Sequence, residues 1–229
     1  MNSINPNPTV FQKVYSVTET QCKTGGLVGD VASGFKLANF WSELMFGAVS
    51  KTSQNITNCG SIIKNYTGFL ELPSKVHAVK DSFSALQKGT AESVAVFVSD
   101  VLGVGKSVYE GIELAGTRFG LLEKNVVAFF QPVSSLATVS FGAKEVVFKD
   151  APSVQENWSK SPVEANSSLI KLVKNISYAV VGALSLVATF FKAVFHSWLI
   201  PSLLTVALAA SVSGRFFDAI MLSPKSMPI

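Results

Sequence analysis

The sequence is poor in charge, in arginine and in cysteine. Charged residues make up 15% of the 229, against about 25% in an average soluble domain. With 48% hydrophobic residues and a mean hydropathy of +0.38, this excludes a largely disordered chain, a collagen-like chain and a soluble charged coiled coil. It points instead to a protein that meets a membrane. Arginine is confined to Arg118 and Arg215. Nucleic-acid readers rely on its bidentate geometry, so a net charge of +4 carried mostly by scattered lysines argues against nucleic acid and fits apposition to anionic lipid. Cys22 and Cys59 stand in no metal-ligand spacing and cannot make a disulfide framework. Two free thiols are expected, with Cys59 on a helix face.

His77 and His196 are the only histidines, far apart and linked by no motif to either cysteine. His77 is expected on an exposed helix surface and His196 at a membrane turn. Neither a metal centre nor a Cys–His nucleophile is expected, and no catalytic, cofactor-binding or metal-ligating residue is assigned. The opening, Met1 to Thr24, lacks the basic start and apolar run of about 7–15 residues that mark a secretory signal. Rich in Asn, Ser, Thr and Pro, it reads as flexible and exposed. The Asn-x-Ser/Thr triplets at Asn55, Asn65, Asn157, Asn166 and Asn175 are then a product of composition rather than glycosylation sites.

Helical periodicity runs through the middle of the chain. Val31, Phe35, Ala38, Trp41, Met45, Ala48 and Val49 form one pattern, and Ile56, Cys59, Ile63, Tyr66 and Leu70 a second. Pro73 opens a third, with Val76, Val79, Phe83 and Leu86 on one side and Gly89 as its stop. The cleanest period is Val94, Val98, Val101, Gly105, Val108, Ile112, Ala115, Phe119 and Leu122, a heptad seam with Asp100, Lys106, Glu110, Glu113, Arg118 and Lys124 off it. It predicts a helix with a long buried stripe and a solvated face carrying Glu110 and Glu113. Gly103, Gly105, Gly111, Gly116 and Gly120 each cost roughly 1 kcal/mol in a helix interior, so close packing on neighbours must hold this helix. Pro132 is expected to interrupt the next pattern, which resumes over Val133 to Phe148.

Asp150 to Ser161 is polar and reads as a linker. Ser161-Pro162-Val163-Glu164 has the order of a helix start. Ile176 to Phe191 carries no charge; after Lys192, Ala193 to Gly214 is again without acidic or basic residues apart from His196. A bilayer core of about 30 Å takes roughly 20 apolar residues in a helix, so this tract is too long for one span and suffices for two short ones. A hairpin is expected, one helix to about Phe195 and the second to about Ser213, with Pro201 near the turn and Trp198 at the interface. Lys160, Lys171 and Lys174 before it, with Arg215 and Lys225 after it, place both outer ends on the cytosolic side, while Lys192 snorkels to the far interface.

Two motif-like stretches carry little. Asp100 to Ser107 ends like a phosphate-binding loop, but Asp100 stands where that loop needs glycine and the segment lies inside a helical period. Gly116 to Gly120 has small-xxx-small spacing with Arg118 inside it, which fits ordinary close packing.

The flexible start at Met1 to Thr24, the paired apolar lobes of Ile176 to Gly214 and the cytosolic character of both flanks together resemble the chlamydial inclusion-membrane proteins exported by type III secretion. That resemblance implies an effector displayed on a host-facing membrane, and it assigns no functional residue. A lesser likeness links Ser107 to Leu122 with a helix of the peroxisome-elongation membrane proteins, and implies membrane shaping. The lysines Lys75, Lys80 and Lys88 of the third pattern suit that alternative.

The expected fold is all-α, a helical bundle with a C-terminal transmembrane hairpin. Its parts are a flexible segment 1–26, a helical region 27–149, a linker 150–162, a membrane hairpin 163–222 and a tail 223–229. The expected role is a non-enzymatic membrane-anchored interaction protein without a cofactor. Its partners are the lipid bilayer and a protein, a second copy of the chain being one candidate.

Overall fold

The computed structural model describes residues 30–118, 120–121 and 124–221. The expected N-terminal segment, Cys22, the seam positions Phe119 and Leu122, and the tail lie outside them. Among the described residues the fold is all-α, with no strand. Helix α1 covers 30–46 and stops at Gly47, whose φ of 67° is open to glycine without strain. Helix α2 is Lys51–Leu70, capped by the Ser50 hydroxyl accepting from the Ser53 amide at 3.1 Å. Helix α3, Leu72–Ala85, has Pro73 in its first turn, tightens into a 3-10 turn at Leu86–Lys88, and ends at Gly89, as its sequence predicts. Helix α4, Ala91–Glu113, is capped by Thr90 and relaxes into a π turn at Leu114–Arg118.

Helix α5, Lys124–Glu145, contains Pro132 in its interior. The expected interruption there does not occur: packing on both neighbouring helices outweighs the one backbone hydrogen bond that proline removes. Residues 150–162 are likewise more ordered than a linker. Helix α5 passes through a π turn, Val146–Asp150, into α6, Ala151–Trp158, because Pro152 falls in the first turn, where its missing amide is not needed. Helix α7, Pro162–Phe191, starts on the Ser161 cap as expected. It ends at Phe191 rather than Phe195, with Lys192 in the left-handed region at φ 51°. Helix α8, Leu199–Met221, runs past the expected Ser213.

Neighbour contacts run α2–α4, α3–α4, α4–α5, α5–α7, α6–α7 and α7–α8. Helix α1 joins both ends of that series. On α2 its Asn39 amide donates to Thr57 Oγ1 at 2.9 Å, and on α8 Thr205 Oγ1 accepts from the Trp41 indole at 3.2 Å. Followed from neighbour to neighbour, α1, α2, α4, α5, α7 and α8 close a circuit.

The circuit is held by small residues. A Cβ on Gly142 of α5 would lie 2.8 Å from the Asn175 carbonyl of α7, and one on Gly182 of α7 would lie 3.0 Å from the Ser135 carbonyl of α5. Gly105 of α4 makes room for Val133 of α5 in the same way. These glycines forfeit helix propensity and gain backbone approach, as the glycine content of α4 required.

Candidate functional site

The interior of the circuit is polar. Among the described residues, buried apolar side chains are limited to Ala32, Leu37, Ala137, Ala165 and Ala207. Buried polar ones are Asn65, Ser82, Ser93, Ser99, Ser107, Glu110, Asp150, Ser167, Ser168, Asn175 and Ser177. Two of these serine hydroxyls, Ser82 and Ser177, donate to a carbonyl one turn back, Ser82 to Ala78 at 2.9 Å and Ser177 to Val173 at 2.9 Å. They are satisfied within their own helix and leave a short side chain that lets a neighbour approach.

The outward faces of α4 and α7 are apolar. On α7 the outward residues include Leu169, Val173, Ile176, Val180, Val187 and Phe190, while Ala165, Ser167, Ser168, Asn175, Ser177 and Gly182 face in. On α4 the expected buried seam is on the outside: Val94, Val98 and Val101 are 44–48% exposed and Val108 37%. The expectation failed for these valines because α4 buries Ser93, Ser99, Ser107 and Glu110 instead, while the seam position Gly105 does meet a neighbour, Val133 of α5. Periodicity identified the stripe; it could not say which side other helices would take. Between α4 and α5 an open apolar groove of about 640 Å³ lies along Val94, Val98, Ala143 and Val147.

One helix among the described residues, Pro162–Phe191, is long and apolar enough to cross a membrane, and only 17% of its apolar window is buried in the protein. Helix α8 is apolar over the shorter stretch Leu199–Arg215.

Two ionic groupings bridge helices. At the α2–α4 contact, Glu110 is buried with its carboxylate against Gly68, not on a solvated face. The Lys64 and Lys106 ammoniums act on the same carboxylate. Desolvation among the packed helices pulls the Lys64 pKa below its usual value, Lys106 lowers it further, and Glu110 opposes both; solvent still reaches part of this side chain. At the other grouping, Asp30 of α1 accepts from Arg215 of α8 at 2.8 Å and from the Ser211 hydroxyl at 3.2 Å. A third polar contact closes the α5–α7 junction, where Asn175 Nδ2 donates to Asp150 Oδ2 at 2.6 Å with both side chains buried.

The residues weighed from sequence are dispersed. Cys59 is an exposed free thiol on α2. His77 pairs with Asp81 at 3.0 Å on the exposed side of α3, and the His196 ring lies 5.8 Å from that of Trp198 in the α7–α8 turn. Asp100 to Ser107 is continuous helix, so no loop is available to cradle phosphate. Asn65 and Asn175 are buried, which removes both from any glycosylation of the folded chain. Lys80 and Lys88 are exposed, whereas Lys75 is half-buried against Gly103 and paired with Glu71 at 3.5 Å. Among the described residues no group of three or more His, Cys, Asp or Glu side chains comes together to hold a metal ion. Sequence reasoning missed the Lys64–Lys106–Glu110 grouping. Its only signal was the i, i+4 pair Lys106 and Glu110 beside the glycines of α4. Comparisons with protein-family models, curated proteins and solved structures found no match for the chain.

Proposed function

We propose that the chain is a non-enzymatic, membrane-anchored interaction protein. Helices α7 and α8 enter the bilayer as a hairpin. The observation that carries this reading is the inverted polarity of α7, with small and polar residues inward and large aliphatic and aromatic residues outward. In water an exposed surface of that kind is unfavourable; in lipid it is the ordinary arrangement, with small residues at helix contacts and apolar ones facing acyl chains.

Lys160, Lys171, Lys174 and Arg215 lie at the outer ends of the pair. By the positive-inside rule they face the cytosol together with both termini, while the turn at Lys192 lies across the membrane. The helical region before α7 carries the contact with a protein partner, and its α1 lies against α8 through Gly34 and Trp41. Display on a host-facing membrane, as in the inclusion-membrane proteins the sequence resembles, is part of this proposal. A membrane-shaping role is the second reading, favoured by the exposed Val76, Phe83, Lys80 and Lys88 of α3.

The test is extraction of the full chain from cell membranes with alkaline carbonate and high salt. It should stay in the pellet and pass into the detergent phase. Release into the aqueous supernatant would contradict the anchor.

A further inference from the structure

We propose that α4 and α5 form a second hairpin in the bilayer, side by side with α7 and α8. The valine stripe of α4 and the outer face of α5 then contact lipid acyl chains. The proposal rests on the reading that α7 crosses the membrane.

Helix α5 shares the depth of α7 because nothing fits between them. Gly142 abuts Ala179 and the Asn175 carbonyl, Gly182 abuts Ser135 and Val139, and Asp150 bonds Asn175. These contacts fix an antiparallel pair, and Ala179 and Gly182 stand within the uncharged part of α7. The composition of α5 suits that position. Residues 125–143 carry no acidic or basic side chain, with Lys124 and Lys144 bounding them. At 1.5 Å per residue this is about 28 Å of helix, against a hydrocarbon core of about 30 Å. Phe129 is 78% exposed, and Leu136 and Phe141 are exposed with it. Pro132 inside the helix is tolerated in a membrane.

Helix α4 follows α5 in the opposite direction, with Gly105 at Val133 and Val94 and Val98 beside Ala143 and Val147. Its Ser99, Ser107 and Glu110 are buried and Asp100 and Lys106 half-buried. Ionisable groups at membrane depth turn toward the bundle in this way. The valine stripe is left for lipid, continuous with the apolar face of α5 across the groove. Gly89 and Thr90, just before α4, then lie on the same membrane face as Lys144, and the α4–α5 turn lies on the opposite face with the α7–α8 turn.

The test uses the full chain with Cys22→Ser and Cys59→Ser in sealed membrane vesicles. Single cysteines are introduced as Leu121→Cys in the α4–α5 turn, Ser159→Cys between α6 and α7, and Val194→Cys in the α7–α8 turn, all three at exposed positions. Each is labelled with a membrane-impermeant maleimide from one side, before and after permeabilisation. Positions 121 and 194 should behave alike and opposite to 159, differing at least tenfold in labelling from one side. If 121 labels with 159 while 194 stays opposite, the second hairpin is overturned and the α7–α8 hairpin stands. If 194 labels with 159, the crossing of α7 fails, and the second hairpin fails with it.

Discussion

The carboxylate of Glu110 on α4 lies directly over the backbone of Gly68 on α2. A methyl group on Gly68 would fall 2.5 Å from the carboxyl carbon. A buried carboxyl group is thus seated in a notch that only glycine leaves open. Gly68→Ala should dislodge Glu110 and lower stability by about 1–3 kcal/mol, the usual cost of overpacking. Gly103→Ala on the same α4 is the contrast. There the nearest atom is Lys75 Cδ at 3.5 Å, an ordinary contact, so the substitution should stabilise by about 0.5–1 kcal/mol through helix propensity. Thermal unfolding of both variants in detergent separates the two outcomes.

The α5–α7 junction should be less tolerant still. Gly142→Ala would bring a methyl within 2.8 Å of the Asn175 carbonyl, and Gly182→Ala would press on Val139 and the Ser135 carbonyl. Backbone cannot give way as a side chain can. Each variant should lose about 1–3 kcal/mol, read as a fall in unfolding midpoint of several degrees, while Gly34→Ala, which faces only Leu208 at 3.6 Å, should lose nothing.

Asn175→Ala leaves the Asp150 carboxylate buried without its donor. A hydrogen bond to a charged group is worth about 1.5–3 kcal/mol, and the loss should fall in that range. Replacing both partners, Asp150→Ala with Asn175→Ala, should cost less than the sum of the single changes, because the second substitution removes the group that the first had stranded. A double-mutant cycle on unfolding free energies measures the difference.

Lys64 gives a dependence on pH. Its folded pKa lies below the ordinary lysine value, first by desolvation and then by Lys106. Between the folded and unfolded pKa values the unfolded chain binds more protons, so this group's contribution to stability rises with pH across that window. Below the folded pKa the destabilisation is fully present. Lys64→Met should therefore raise the unfolding midpoint at pH 7 and raise it less near pH 10.5. Equal shifts at both values would show that the ammonium bears no desolvation cost.

Much of the fold was legible because helix signals are local. The Ser161 cap, the Gly89 stop and the Pro73 start each act within one turn, and all three are found where the sequence put them. What failed was long-range. Pro132 breaks a helix only if its neighbours do not hold it, and Asp150 to Ser161 is a linker only if nothing packs on it. The clearest case is α4. A heptad stripe of valine says that one face is apolar, and in water that face is buried. The chain instead buries Ser99, Ser107 and Glu110 and presents Val94, Val98 and Val101 outward.

The most direct test is solvent contact at the outward face of α7. Spin labels at Val180→Cys and Val187→Cys, exposed positions of the apolar helix, are examined in the reconstituted full chain, in the Cys22→Ser and Cys59→Ser background. Collisions with oxygen and with a polar nickel chelate are compared. Both labels should be open to oxygen and shielded from the chelate, as in a hydrocarbon phase. Free collision with the chelate at both positions would put that face in water and contradict the account.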